Sequence, residues 1–502
     1  MNLTHEIPIV NILSLEIPQE VIKKLPAKFV NRYRLIPIKM DNNTLTIATA
    51  DPLEIHILDD IGLLLGCKIE VVFSSQDEID QALQKYYGTG AQTVEDIISG
   101  IKEKKISDQD KETTADLESL AHEAPVIKLV NLIIMEAIKK RASDIHIECF
   151  EDEMVVRYRI DGVLYDTAPP PKWLYPAIIS RIKLMAEMNI AERRLPQDGR
   201  IQLKVGGKQI DIRVATLPTL YGESLVLRIL EKESILLELE DLGFEETILE
   251  QFKKLIHRPN GIILVTGPTG SGKTTTLYAT LNRINSTEKK IITIEDPVEY
   301  QIKRINQLQV KPKINFGFAQ GLRSMLRQDP DIMMVGEIRD LETAEVAVQA
   351  ALTGHLVFST LHTNDAASAI TRLHDMGVED FLISSSVIGI LAQRLVRLIC
   401  PECREEYLPA PELVKEFHSK TLLKGRGCEK CNYSAFKGRI GIFELLLIND
   451  ELQELILQKT NAHKIKELAI KSGMKTMQED GFQKVQRGVT TVEEVLRVVQ
   501  EE

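Results

Sequence analysis

Three observations predict an α/β protein with several domains. Apolar strands alternate with helical patterns from about residue 241 to 395, which is typical of a parallel sheet covered by helices. A glycine-rich loop stands between one of these strands and the helical pattern that follows it. With 502 residues, the chain is also too long for a single hydrophobic core.

The patterns divide the chain into six regions. The first three are an α/β interaction domain at residues 1–88, a flexible linker at 89–120 and a second α/β domain at 121–232. The others are the alternating α/β domain at 241–396, a cysteine-containing module at 397–440 and a C-terminal helical region at 441–502. The linker is predicted because its residues are polar and charged without apolar periodicity.

The composition argues against two classes of protein. The formal net charge is -11, whereas a nucleic-acid-binding surface needs clustered Lys and Arg, so we expect no nucleic-acid partner. No apolar run approaches the roughly 18 residues that cross a bilayer. The start, "MNLTHEIPIV", has no basic segment leading into an apolar one, so no secretion signal is expected. The sequence therefore predicts a soluble, cytosolic protein.

The segment "GIILVTGPTGSGKTTTL" has the spacing of a phosphate-binding loop between a strand and a helix. Glycines allow the backbone N–H groups to surround phosphates, and the helix that follows presents its positive dipole end. Lys273 is predicted to reach the outer phosphates and Thr274 to bind Mg²⁺. The predicted ligands of ATP and Mg²⁺ are Gly267, Pro268, Thr269, Gly270, Ser271, Gly272, Lys273, Thr274 and Thr275.

The segment "PDIMMVGEIRD" places an acid at each end of a short strand. Ligands bind at the carboxyl ends of the strands in an open parallel sheet, and the phosphate-binding loop marks that edge. A strand rises about 3.3 Å per residue, so Asp331 and Glu337 are predicted on the order of 15 Å apart, at opposite edges. Glu337 is therefore the predicted catalytic residue, which would polarise the attacking water or hold the water shell of the metal. Asp331 is predicted to be a turn or cap residue.

Two other strands end at the same predicted edge. Glu295 follows the strand in "IITIEDPVEY", and His362 follows the strand in "HLVFSTLHTND". Either residue alone could belong to an ordinary loop, but their convergence with Glu337 favours a catalytic role. His355 begins its strand, so a phosphate contact is less expected there, although the strand is short.

Four cysteines form two CxxC pairs, Cys400 with Cys403 and Cys428 with Cys431. Four thiolates suit tetrahedral Zn²⁺, and a site with four protein ligands leaves no open position for chemistry. We therefore predict a structural zinc site, and the alternative is four unliganded thiols. Cys67 and Cys149 are expected to be inert.

The chain resembles the secretion and pilus ATPase family. The motifs that carry this resemblance are "GPTGSGKTT", "TIEDPVEY", "RQDPDIMMVGEIRD" and "TGHLVFSTLHTND", and "AERRLPQDGRI" resembles part of the family's second N-terminal domain. The resemblance implies a RecA-like ATPase domain and a homo-hexameric ring. ATP would lie between that domain and the second N-terminal domain, where Arg213 and Arg228 would contact the γ-phosphate. From the residues alone, an alternative is that these arginines lie on solvent-exposed faces of strands and have no role in catalysis.

Within the family, "LHDMGVEDFLISSSVIGILAQRLVRLICPEC" is most similar to the type II secretion ATPases. The resemblance implies a motor at the cytoplasmic face of the inner membrane, with a membrane-anchored secretion partner on the first domain and a platform protein in the membrane. A type IV pilus assembly ATPase is the alternative with the same chemistry. A DNA-uptake or DNA-translocating ATPase and a nucleotide-sensing scaffold without catalysis are weaker alternatives.

Overall fold

The computed structural model describes residues 124–205, 208–231, 237–409 and 421–499 and parts of residues 10–82. The predicted linker at 89–120 lies outside these residues. The chain forms two compact units, the first built mainly from residues before 230 and the second mainly from residues after it.

Two sheets are present in the described part of the first unit. The smaller sheet has three strands in the order β1-β2-β3, in which β1 and β2 are antiparallel and β2 and β3 are parallel. The elements with described bounds are helix α1 (Gln19–Ile22) and strands β1 (Leu35–Asp41), β2 (Thr44–Thr49) and β3 (Lys68–Phe73). Its core is aliphatic and includes Leu35, Leu45 and Ile47.

The larger sheet of the first unit has six strands in the order β6-β5-β4-β9-β8-β7. The strands are β4 (Asp144–Cys149), β5 (Met154–Ile160), β6 (Val163–Asp166), β7 (Gln197–Val205), β8 (Lys208–Thr219) and β9 (Gly222–Glu231). Helix α2 (Ala124–Lys139) precedes this sheet in the chain, and helix α3 (Tyr175–Met185) follows β6. In β5 the buried positions alternate, as expected for a strand with one covered face.

The second unit is organised around a seven-stranded sheet in the order β12-β11-β13-β14-β10-β15-β18. The strands are β10 (Gly261–Thr266), β11 (Ile291–Glu295), β12 (Asn306–Gln309), β13 (Ile332–Val335), β14 (Leu356–Leu361), β15 (Val387–Ile399) and β18 (Phe436–Leu447). The first six strands in this order are parallel, and β18 is antiparallel to β15. All the parallel strands therefore end at one edge.

Helices cover both faces of this sheet. They are α4 (Glu246–Leu255), α5 (Lys273–Ile284), α6 (Phe318–Met325), α7 (Leu341–Leu352), α8 (Ala366–Asp375) and α9 (Asp380–Ser386). In β10, Ile262 and Leu264 belong to one core and Ile263 and Val265 to another, because successive side chains point to opposite faces. This burial on both faces explains why the strand is apolar throughout.

In the described residues, the second unit also contains a two-stranded ribbon and four helices after the last strand of the sheet. Strands β16 (Arg404–Tyr407) and β17 (Leu422–Gly425) are antiparallel, and the four clustered cysteines lie before β16 and after β17. The helices are α10 (Asp450–Leu457), α11 (Ala462–Lys471), α12 (Met477–Gln486) and α13 (Val492–Val499). Throughout the described ranges, no helix combines the length and the apolar character that a membrane crossing requires.

Candidate nucleotide-binding site

The glycine-rich loop connects the end of β10 to the start of α5. Gly267, Gly270 and Gly272 have positive φ angles of 150°, 81° and 89°, which glycine adopts without the penalty that a Cβ imposes. A Cβ added at Gly270 would meet no atom within 4 Å, so the loop is open on this side. The concave loop at a helix N-terminus fits the phosphates of a nucleotide.

Lys273 begins α5 and lies folded against the loop. Its ammonium group donates hydrogen bonds to the carbonyls of Gly267 (2.6 Å) and Pro268 (3.0 Å). Burial lowers the pKa of Lys273 to about 8, and the charge of Arg394 lowers it further, whereas the Glu337 carboxylate raises it. A bound polyphosphate would favour the charged form of this lysine.

Glu337 lies at the same edge of the sheet as the loop. It follows β13, and its carboxylate lies 3.3 Å from His362 Nε2 and 2.5 Å from an Arg339 guanidinium nitrogen. Burial opposes the ionisation of Glu337, but the hydrogen bond from Arg339 and the contact with His362 outweigh it, so its pKa lies below the ordinary value. The structure therefore brings Glu337, His362 and Lys273 together, with Glu337 as a carboxylate at neutral pH.

Asp331 and His355 lie at the opposite edge. The carboxylate of Asp331 accepts a hydrogen bond of 2.6 Å from the backbone N–H of Lys290, which precedes β11. His355 precedes β14, and its Nδ1 lies 2.9 Å from the carbonyl oxygen of Ala350. Both residues fix connections at the amino ends of the strands and are remote from the phosphate-binding loop.

Glu295 ends β11 but is buried within the second unit, with 4% of its surface exposed. Its carboxylate accepts hydrogen bonds from the Tyr278 hydroxyl, from Thr293 Oγ1 (2.6 Å) and from Gln307 Nε2 (3.1 Å). These three hydrogen bonds hold the Glu295 carboxylate in a polar network between α5 and the sheet. A role in positioning suits this location better than direct contact with a water molecule.

Arg213 and Arg228 lie in the first unit, on β8 and β9. Arg228 Nε donates a 3.0 Å hydrogen bond to Asp144 on β4, and its side chain is 56% exposed. Arg213 is half-buried. The predicted contact of both residues with the γ-phosphate stays a prediction.

The four predicted zinc ligands form one cluster, in which all the Sγ atoms lie within 4.8 Å of one another. The Sγ atoms of Cys400 and Cys428 are 3.9 Å apart, as are those of Cys403 and Cys431. Zn–S bonds of about 2.3 Å in a tetrahedron place sulfurs about 3.8 Å apart, so the cluster fits Zn²⁺. A disulfide needs sulfurs about 2.0 Å apart.

Three further residues at this edge were not predicted. Asp296 follows Glu295. The hydrogen bond to Glu337 and the charge of Glu337 raise the pKa of Arg339, and the charge of Asp296 raises it further, so Asp296 lies near this group. The rule that identified Glu337 also applies to Asp296, because it is the first residue after its strand. Gln393 and Arg394 lie within the long strand β15, and no local pattern distinguishes them. Arg394 donates a 3.2 Å hydrogen bond to Asn364, in the loop that follows His362.

Residues 119–497 match the family of type II/IV secretion system proteins, and residues 5–93 match the MshEN domain. The chain is 49% identical over 490 residues to type II secretion system protein E of Xanthomonas campestris pv. campestris, which covers 96% of this chain and 85% of that protein. It is 46% identical over 493 residues to the type II secretion system ATPase E of Vibrio cholerae serotype O1, covering 96% and 98%.

Pilus proteins are also similar to this chain. The type IV pilus assembly ATPase PilB of Myxococcus xanthus is 44% identical over 502 residues, which covers 98% of this chain and 89% of that protein. A crystal structure of the pilus retraction motor PilT with bound ADP is 31% identical and has a TM-score of 0.51, covering 73% of this chain and 96% of PilT. The predicted fold class and the predicted resemblance are confirmed.

Proposed function

Because the chain belongs to the type II/IV secretion system protein family, we propose that it is the ATP-hydrolysing motor of type II protein secretion. The observation that carries this proposal is the Glu337–His362 pair beside Lys273 and the phosphate-binding loop. The motor would act at the cytoplasmic face of the inner membrane and drive the assembly of a pseudopilus. The similarity to two secretion proteins over nearly the whole chain supports this direction.

The loop residues from Gly267 to Thr275 would bind the phosphates of ATP. Lys273 would leave the two loop carbonyls that it contacts and neutralise charge on the outer phosphates. Mg²⁺, held through the Thr274 hydroxyl, would neutralise phosphate charge when bound. This set of residues positions the triphosphate and stabilises the charge that develops during its cleavage.

Glu337 would orient and polarise the attacking water. Its lowered pKa keeps it ionised at neutral pH, and His362, 3.3 Å away, would fix the direction of the carboxylate. Glu295 would act indirectly, because its network with Tyr278 holds the start of the loop after β11 against α5. Arg213 and Arg228 would neutralise the γ-phosphate, since a guanidinium matches phosphate oxygens.

The protein would act as a homo-hexamer. The first domain would bind a membrane-anchored secretion partner, and the ATPase domain would transmit its movement to a platform protein in the inner membrane. Zn²⁺ bound by Cys400, Cys403, Cys428 and Cys431 would close the connection between β15 and β18. No nucleic acid is expected in this assembly, given the net charge of -11.

Substitution of the edge carboxylate tests the proposal. Glu337→Gln should retain the affinity for ATP and reduce turnover by about 100-fold or more, as measured by nucleotide binding and phosphate release. Asp331→Asn is the matched control, because it changes the acid at the other end of β13. Wild-type turnover in Glu337→Gln, or an equal loss in Asp331→Asn, would contradict the assignment.

A type IV pilus assembly ATPase is a second candidate, favoured by the 44% identity to PilB of Myxococcus xanthus. The chemistry would be the same, and only the membrane partners would differ. Co-purification of the wild-type protein from its own cells distinguishes the two candidates. Secretion components should accompany it under our proposal, whereas pilus components would favour the alternative.

A further inference from the structure

Strand β15 brings a buried glutamine against the phosphate-binding loop. In the parallel pairing of β10 with β15, Thr266 is opposite Ala392. Gln393 therefore comes level with Gly267, the first residue of the loop. Gln393 is 2% exposed, and a buried amide requires hydrogen-bond partners.

The side chain of Gln393 binds the helix that follows the loop. Its Oε1 accepts a 2.7 Å hydrogen bond from Thr276 Oγ1 in α5. Thr276 is fully buried and lies three residues after Lys273. This bond joins the first turn of α5, whose N-terminus faces the phosphate site, directly to the sheet.

Gln393 also lies directly against two glycines of the loop. A Cβ added at Gly272 would be 2.7 Å from Gln393 Nε2, and a Cβ added at Gly267 would be 2.5 Å from the Gln393 carbonyl oxygen. Both distances are shorter than a carbon atom tolerates. At Gly267 the neighbour is backbone, so glycine is required there for space as well as for its positive φ, whereas a side chain at Gly272 would displace the Gln393 amide.

We propose that Gln393 is a positioning residue that fixes the phosphate-binding loop and the start of α5. It touches no phosphate itself and acts through Thr276 and Gly272. Phosphate binding depends on the directions of the loop N–H groups and the helix axis, and small displacements of positioned groups reduce rates strongly. This inference rests on the proposed function, in which the loop binds the phosphates of ATP, but it is tested by nucleotide affinity.

A double-mutant cycle tests the bond. Gln393→Met keeps the length of the side chain and removes its hydrogen bonds, and Thr276→Val removes the hydroxyl. Each single variant should weaken the affinity of the full-length protein for a fluorescent, nonhydrolysable ATP analogue by about five- to tenfold. The affinity of the double variant should equal that of the single variant with the lower affinity, because both substitutions break the same bond. Effects that multiply, or wild-type affinity in Gln393→Met, would overturn the proposal.

Two further variants separate positioning from general destabilisation. Thr280→Val is the matched control, since Thr280 is a buried threonine one turn later whose hydroxyl donates to the Thr276 carbonyl (2.8 Å). Loss of this buried hydrogen bond should lower the melting temperature but leave analogue affinity within about twofold. Thr276→Ser keeps the hydroxyl and should bind the analogue as the wild type does. The proposal would be overturned if Thr280→Val lost as much affinity as Thr276→Val. A loss in Thr276→Ser equal to that in Thr276→Val would also overturn it.

The binding cycle also distinguishes this inference from the proposed function. Binding of the analogue needs no hydrolysis, so an intact coupling between Gln393 and Thr276 in a protein without ATPase activity would refute only the proposed function. Additive effects in an active ATPase would refute only the role of Gln393.

Discussion

The affinity for nucleotide should depend on pH because of the environment of Lys273. Burial lowers its pKa to about 8 in the nucleotide-free protein. A bound polyphosphate places negative charge beside the ammonium group and restores the charged form. Because the pKa is higher in the complex than in the free protein, binding takes up a proton, and the affinity should fall as the pH rises above 8.

The expected magnitude follows from the two protonation states. At pH 8, half of the free protein carries a neutral Lys273, so binding should take up about 0.5 proton per site. If the pKa in the complex returns to about 10.5, the affinity should fall about tenfold between pH 7 and pH 9. The phosphate oxygens contribute little in this range, since their second pKa is about 6.

Isothermal titration with a nonhydrolysable ATP analogue measures both quantities. Titrations in two buffers with different ionisation enthalpies give the number of protons taken up, and a series from pH 7 to pH 9 gives the slope. Lys273→Arg is the matched control, because a guanidinium stays protonated throughout this range. A flat profile in the wild type, or the same slope in Lys273→Arg, would refute the reasoning.

Two further predictions concern parts of the second unit outside the nucleotide site. Glu494 has a side chain that is 4% exposed; burial raises its pKa, but hydrogen bonds from Arg397 and Arg497 outweigh burial and lower it to about 2. The ionised Glu494 stabilises the folded protein fully above its unfolded pKa of about 4.5, and this stabilisation is lost as the pH falls through about 2. Glu494→Gln should therefore lower the free energy of unfolding by about 2–3 kcal/mol at pH 7. Urea unfolding should show this difference shrinking from pH 6 to pH 3, and a constant difference would contradict the assignment. Elemental analysis should find about one Zn²⁺ per chain in the wild type and in Cys149→Ser and a clear loss in Cys403→Ser; equal zinc in all three proteins, or none in the wild type, would count against the site.

Much of the site follows from the sequence because two of its determinants are local. The loop requires glycines and a lysine at fixed spacing, and the parallel arrangement of strands sends every residue that follows a strand to one edge. These two rules suffice to separate Glu337 from Asp331 and His362 from His355, and the structure places all four residues where the rules predict. The apolar runs and their lengths likewise predict the parallel sheet, since both of its faces are buried.

Other features depend on contacts between residues that are far apart in the chain. Thr276 and Gln393 are 117 residues apart. The Glu295 carboxylate is held in a buried network by hydrogen bonds from Tyr278 and Gln307, which belong to other elements. The pKa of Lys273 is lowered mainly by burial and further by the charge of Arg394, which lies on β15. The sequence by itself determined the local backbone geometry, the order of elements and the edge at which the chemistry lies. Only the tertiary structure decided which side chains meet there, because hydrogen bonding, burial and charge act between neighbours in space, whatever their distance along the chain.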